Sequence, residues 1–313
     1  MKIEDVKNVA VLGAGVMGNS IALVFARKGY NVRLWSRTQK TIDRAVGLIK
    51  STLALMSEYG HVSDAEIPEI IERILPTTDL SVAAEGAHFA LETVAENPDV
   101  KKDIFSQLNK LCSKDTVLSS NTSGLDIFTI LDVDNPGRLV NTHWFSPATL
   151  IPLVEVAPGK ETSPETVTLT VDLLKGLGKR PIVLKEFVPA FIVNRIQDSI
   201  NKTTFEILDN GWATAEDIDT AIKNTLGIRL PVLGVAQVLD FNGLDLIDSI
   251  NKRRGVESKF IEEKVKQGHF GAKSSKGIYD YGDRTEAELL EKRDRLFYKM
   301  LDHLEKINAF EPL

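Results

Sequence analysis

The chain has a single cysteine, Cys112, which excludes an intrachain disulfide and any multi-cysteine metal centre. Set in Leu111-Cys112-Ser113 near the end of an expected helix, it reads as a buried, inert thiol. Histidine is also sparse. His61, His88, His143, His269 and His303 never fall two to a helix face beside an acid, so no metal site is expected. Positive charge is in deficit, with 38 Lys and Arg against 44 Asp and Glu and a net charge of −6. That balance lacks the basic surface a phosphate backbone requires, and no nucleic-acid partner is expected. No stretch reaches the roughly 20 apolar residues of a membrane span. The first residues, Met1-Lys2-Ile3-Glu4-Asp5, have neither the apolar run of a signal peptide nor an arginine-rich transit pattern. The expectation is a cytoplasmic protein without a membrane partner.

What is present is an ordinary globular composition, 43% hydrophobic and 26% charged over 313 residues, long enough for two domains. From Asn8 to about Leu184, strand-like runs alternate with amphipathic stretches. The strands are expected at 9–12, 32–35, 87–93, 116–119, 138–143, 153–157 and 182–184, and the helices at 18–28, 39–58, 100–111 and 164–176. Strands separated by helices predict a largely parallel sheet covered on both faces. Ser63-Asp64-Ala65-Glu66 matches a capping box and should open a short helix. Beyond Pro189 only helical patterns continue, at 191–209, 216–224, 232–251, 258–266 and 286–307. The expected organisation is an α/β domain over 1–187 and an all-helical domain over 188–313.

Gly13-Ala14-Gly15-Val16-Met17-Gly18 follows the first strand and opens the first helix. The first glycine permits the tight turn, the second lets backbone approach a pyrophosphate, and the third lets helix pack on strand. With strand, helix and second strand all in place, the pattern predicts a doubly wound Rossmann-type sheet holding a nicotinamide dinucleotide. At the end of the second strand, where NAD-specific sites usually place an acid, stands Ser36, followed by Arg37, Thr38 and Lys40. A carboxylate there repels a 2′-phosphate, whereas a hydroxyl beside a guanidinium holds one. NADP is therefore favoured over NAD; the alternative is that Arg37 stacks on the adenine and NAD binds.

His143 ends a strand in Asn141-Thr142-His143-Trp144-Phe145-Ser146-Pro147, and Glu155 follows twelve positions later. Histidine is the side chain suited to take an alcohol proton near neutral pH, and a carboxylate on its other nitrogen orients the ring. Alone, His143 reads more often as a structural histidine and Glu155 more often as a salt-bridge acid.

Ser120-Asn121-Thr122-Ser123, then His143 with Phe145 and Pro147, then Pro152-Leu153-Val154-Glu155, then Phe191-Ile192-Val193-Asn194-Arg195 together resemble the 3-hydroxyacyl-CoA dehydrogenase family. Glu92-Thr93-Val94-Ala95-Glu96-Asn97 with Lys101, and Gly277-Ile278-Tyr279-Asp280-Tyr281, look like further motifs of that family, so the resemblance runs from about residue 7 to 281. It implies that His143 is the general base and Glu155 its partner, with Ser123 and Asn194 holding the substrate oxygen. It also implies that Glu96 and Lys101 contact cofactor ribose or phosphate, and that the helical domain forms a homodimer. Ser123 can equally be the N-cap of a helix over 125–131.

Three departures bear on the substrate. Ser146 replaces the family's usual asparagine near the nicotinamide. The segment Thr149-Leu150-Ile151-Pro152 lacks a lysine common in acyl-CoA members and looks closer to the branch acting on free 3-hydroxy acids, such as gulonate 3-dehydrogenase (lambda-crystallin) and carnitine dehydrogenase. In Leu226-Gly227-Ile228-Arg229, Arg229 could grip a free carboxylate. The stretch from Leu48 to Gly60 holds one lysine, few cations for the phosphates of CoA. The expectation is an oxidoreductase interconverting L-3-hydroxyacyl-CoA and 3-oxoacyl-CoA. The alternatives are a dehydrogenase of a free 3-hydroxy or diketo acid, and a non-catalytic dinucleotide-binding protein.

Overall fold

The computed structural model describes Met1–Glu311; Pro312 and Leu313, the last positions of the expected helical domain, lie outside the described residues. Two compact units divide the chain, Met1–Ser199 and the residues from Ile200 on.

The first unit is built on eight strands: β1 (Asn8–Leu12), β2 (Asn31–Trp35), β3 (Ile74–Thr77), β4 (Phe89–Glu92), β5 (Val117–Ser120), β6 (Leu139–Trp144), β7 (Leu153–Pro158) and β8 (Arg180–Val183). They form one sheet in the order β3-β2-β1-β4-β5-β6-β7-β8, in which only β6 and β7 run antiparallel. Because side chains alternate across a strand, β1 sends Val9 and Val11 to one face and Ala10 and Leu12 to the other. Helices α1 (Val16–Arg27), α2 (Gln39–Glu58) and α7 (Pro164–Gly176) bury their apolar faces on the first side. On the second side lie α4 (Leu80–Ala84), α5 (Pro98–Leu111) and α6 (Ile127–Ile130). Each fully buried Leu, Ile or Phe contributes about 2 kcal/mol, and α1 alone places Ile21, Leu23 and Phe25 there.

Several expectations need correction. β3 is not among the expected strands; it carries Pro76, which cannot donate to a ladder, and lies at the edge of the sheet, where proline is tolerated. The Ser63–Glu66 box does not open a helix. Glu66 accepts from the Ser63 amide at 2.8 Å and its hydroxyl at 2.7 Å, closing a turn, and α3 (Ile67–Glu72) starts after it. Ser123 does not cap the following helix; Asp126 does, accepting from the Phe128 amide at 3.1 Å.

From Ile200 the second unit is helical. It comprises the end of α8 (Val193–Asp209), then α9 (Ala215–Lys223), α10 (Leu226–Asn242), α11 (Leu244–Arg253), α12 (Lys259–Lys266) and α13 (Glu286–Lys306). The single helix expected over 232–251 is two, since Gly243 at φ 89° separates α10 from α11. The buried carboxylate of Asp240 ties down the segment that precedes α13. It accepts from the amides of Ile278 at 2.8 Å and Tyr279 at 3.0 Å and from the Tyr281 hydroxyl at 2.8 Å. A Cβ at Gly277 would lie 2.2 Å from that carboxylate, so the motif Gly277–Tyr281 is a latch. No single helix among the described residues is long and apolar enough to cross a membrane.

Candidate active site

The glycine turn after β1 is shaped by exclusion. Gly13 has φ 119°, and a Cβ there would meet the Thr93 carbonyl at 2.6 Å. A Cβ at Gly18 would sit 1.6 Å from the Gly13 carbonyl oxygen. Gly15 is different: nothing lies within 4 Å of where its Cβ would be. It precedes α1 without any side-chain cap, so no side chain satisfies the first N–H groups of that helix, at Val16 and Met17. Ser36, at the end of β2, is buried, while Arg37, Thr38 and Lys40 are exposed. The Thr38 hydroxyl caps α2, accepting from the Thr41 amide at 3.3 Å.

Next to this turn lies a polar cluster that begins in β4. The buried Glu92 receives the Lys101 ammonium at 2.8 and 2.9 Å, the Ser120 hydroxyl at 2.6 Å and the Val94 amide at 2.7 Å. Lys101 is itself fully buried and also lies 3.3 Å from Glu96. Burial opposes ionisation of Glu96, yet the Thr122 hydroxyl, Lys101 and the Ser123 amide outweigh it and hold its carboxyl below the usual range. The four residues Ser120–Ser123 thus each have a partner: Ser120 binds Glu92, Asn121 accepts from the Trp144 amide at 2.8 Å, Thr122 binds Glu96, and the Ser123 carbonyl accepts from Asn194 at 3.4 Å. Asn121, Thr122 and Thr93, whose hydroxyl donates to the Gly13 carbonyl at 2.7 Å, were given no role by sequence reasoning. Such bonds to backbone leave no trace in spacing.

His143 and Glu155 are paired residues of β6 and β7. An ionised Glu155 can only accept, so at 2.8 Å it accepts a hydrogen bond from the Nδ1–H of His143, and Nε2 has no hydrogen bond among the described residues. The other carboxylate oxygen accepts from the amides of Ile192 and Val193, both at 3.0 Å. Those amides are aimed by two consecutive left-handed residues, Ala190 at φ 62° and Phe191 at φ 50°. The ring of Phe191 stacks on His143 with centroids 5.0 Å apart, and Phe145 meets it edge-on at 4.5 Å. The imidazole is only 4% exposed and held on three sides. Such an arrangement presents one basic nitrogen and keeps its charged form compensated.

The structure therefore brings Ser123 and Asn194 together, and His143 and Glu155 together. Ser146, three residues after His143, is exposed. Arg229 lies in the first turn of α10 and forms no ion pair among the described residues. No group of three or more His, Cys, Asp or Glu among the described residues is arranged to hold a metal.

Comparison with known proteins agrees with this geometry. Residues 8–187 match the model of the 3-hydroxyacyl-CoA dehydrogenase NAD binding domain, and residues 191–281 match the C-terminal domain of the same family. The chain belongs to the 3-hydroxyacyl-CoA dehydrogenase family. It is 34% identical over 291 residues to a probable 3-hydroxybutyryl-CoA dehydrogenase of Bacillus subtilis, covering 90% of this chain and 99% of that one. It is 29% identical to 5-formyl-3-hydroxy-2-methylpyridine 4-carboxylate 5-dehydrogenase of Mesorhizobium japonicum, covering 93% and 96%. A solved 3-hydroxyacyl-CoA dehydrogenase of Archaeoglobus fulgidus superposes with a TM-score of 0.79 at 29% identity, covering 96% and 99%. This family member is thus an oxidoreductase with an NAD-binding domain. The open space at Gly15 and the uncapped start of α1 fit the pyrophosphate of such a dinucleotide.

Proposed function

We propose that the enzyme interconverts an L-3-hydroxyacyl-CoA and the 3-oxoacyl-CoA, with His143 as general base. The observation that carries this reading is the His143–Glu155 pair, which leaves one unpartnered basic nitrogen on an immobilised ring. A bound nicotinamide dinucleotide supplies the hydride acceptor. In the oxidation, His143 Nε2 takes the hydroxyl proton, and Glu155 stabilises the imidazolium that results. Ser123 and Asn194 hold the substrate oxygen beside the ring, as donors placed where charge changes. Gly13, Gly15, Val16, Met17 and Gly18 receive the pyrophosphate, Glu96 a ribose and Ser146 the carboxamide end. Lys101 is too buried to touch a ribose itself and acts by holding Glu96.

We also infer a preference for NADP over NAD, because Arg37 and Lys40 are exposed, form no ion pair among the described residues and flank a serine rather than an acid. The reading extends to two domains, 1–187 and 188–313, and to a cytoplasmic homodimer. Support for the dimer comes from the second unit. It buries few large apolar side chains yet exposes Phe205, Trp212, Ile222, Phe260, Leu296 and Tyr298.

A free 3-hydroxy acid is the second reading. It is favoured by the surface of α2 and its C-cap, where Leu48, Leu55 and Tyr59 are exposed and Lys50 is the one lysine of the stretch from Leu48 to Gly60. Arg229 is then the carboxylate ligand, and the Mesorhizobium relative is named for a pyridine carboxylate without CoA. Steady-state rates with acetoacetyl-CoA, and with gulonate and carnitine, each with NADPH or NADP and with NADH or NAD, separate the two. Turnover of a free acid with acetoacetyl-CoA untouched overturns the first.

A further inference from the structure

The loop of residues 145–152 joins the strand of His143 to the strand of Glu155, and an unusual fastening holds it. Lys179, just before β8, is buried. Its ammonium donates to the carbonyls of Ala148 and, at 2.9 Å, of Ile151, and lies 5.5 Å from the centre of the Trp144 ring. The same loop is closed by the amides of Leu150 and Ile151 on the Pro147 carbonyl, both at 3.0 Å, and by the Arg180 amide on the Pro152 carbonyl at 2.8 Å. It carries Phe145, which packs against the His143 ring.

No carboxylate among the described residues pairs with Lys179. The loop itself has no charged residue. Glu155 of β7 is engaged with His143 on the face opposite Trp144. Asp172 and Lys175 of α7 are exposed, as is Arg180 of β8. Arg27 of α1 bears on it and repels. A buried cation held by carbonyls alone is costly unless its bonds are needed.

We propose that Lys179 is a positioning residue for the redox reaction: its protonated amine sets the loop between the two strands of the His143–Glu155 pair, and so the seat of the ring. This rests on His143 being the base. Burial, with Arg27 adding to it, pushes the Lys179 ammonium down to about 8. The charge-assisted bonds to Ala148 and Ile151 therefore weaken within the working range of a dehydrogenase.

The test has two arms. Hydrogen exchange at Leu150 and Ile151, corrected for intrinsic rate, needs no substrate. Their protection in the wild type should fall about tenfold between about pH 7 and about pH 9.5, and should not fall in Lys179→Arg. Protection unchanged in the wild type across that range overturns the proposal, whether or not any variant folds. Second, kcat is followed against pH in the oxidation direction with 3-hydroxybutyryl-CoA, where an unprotonated His143 is the active form. A decline above about pH 8 is expected in the wild type, absent from Lys179→Met, whose kcat is lower by about tenfold at pH 7 with cofactor affinity unchanged. A Lys179→Met profile that matches the wild type leaves Lys179 a filler of space and sinks the idea. Full turnover by His143→Gln would instead refute the base, while the exchange result would stand.

Discussion

His143 and Glu155 face each other across the only antiparallel pair of strands in the sheet, with Nδ1 2.8 Å from the carboxylate. Replacing Glu155 by Gln keeps the shape but offers a single oxygen. That oxygen can serve the amides of Ile192 and Val193 or the ring, not both. With the amide NH2 turned to the ring, the imidazole is forced into the wrong tautomer. Turnover in Glu155→Gln is expected to fall by about 10³-fold with cofactor affinity intact. Steady-state rates and a cofactor fluorescence titration check this, and near-normal kcat would remove Glu155 from the chemistry.

The cofactor prediction turns on one side chain. Ser36→Asp places a carboxylate where a 2′-phosphate is proposed to lie. The kcat/KM for the NADP couple should drop by about tenfold or more while that for the NAD couple holds or rises. Equal losses with both cofactors would count against Ser36 as the discriminating position.

Lys101→Met leaves Glu92 buried without its cation. The expected loss is about 3–5 kcal/mol in urea unfolding, largely recovered when Glu92→Gln is added. A single variant as stable as the wild type would contradict the buried pair. Glu96, whose carboxyl is held below its ordinary range despite burial, adds a contribution present above that range and lost as pH falls through the lower folded value. The Lys101→Met protein should therefore show a weaker acid dependence.

For Lys179 the slope has the same sign but a different origin, the relief of a burial penalty on a cation. Its folded value near 8 lies below the ordinary lysine value of 10.5, so between the two the unfolded chain binds more protons. Stability attributable to this residue should rise with pH across that window, by roughly 3 kcal/mol at the limit, even as the loop it holds loosens. Urea unfolding of wild type and Lys179→Met at about pH 7.5 and about pH 10 measures the difference; a wild-type curve that moves no more than the variant's would refute it.

Ala190 occupies a left-handed conformation at φ 62°, which costs a side chain about 1 kcal/mol relative to glycine. Ala190→Gly should raise the unfolding free energy by about that amount. A lower stability would mean the backbone there relaxes differently.

How much of this was readable beforehand follows from where the information lies. Strands with apolar runs, such as Val9–Leu12 and Leu153–Ala157, announce themselves, and the glycine turn reports its own geometry through Gly13 and Gly18. β3 does not, because an edge strand with a proline has neither alternation nor propensity in its favour. The break at Gly243 was missed because apolar periodicity continues through it. At the site, His143 and Glu155 were legible by kind and company. Lys179 was not, because its partners are backbone carbonyls, which every residue has.

The pairing of His143 with Glu155 by register also changes what their spacing means. It is the register of the two strands, not their separation along the chain, that sets the two side chains opposite each other. A residue inserted within β6 or β7 would carry one partner through to the far side of the sheet. Single-residue insertions should therefore be forbidden in the straight segments that carry the pair.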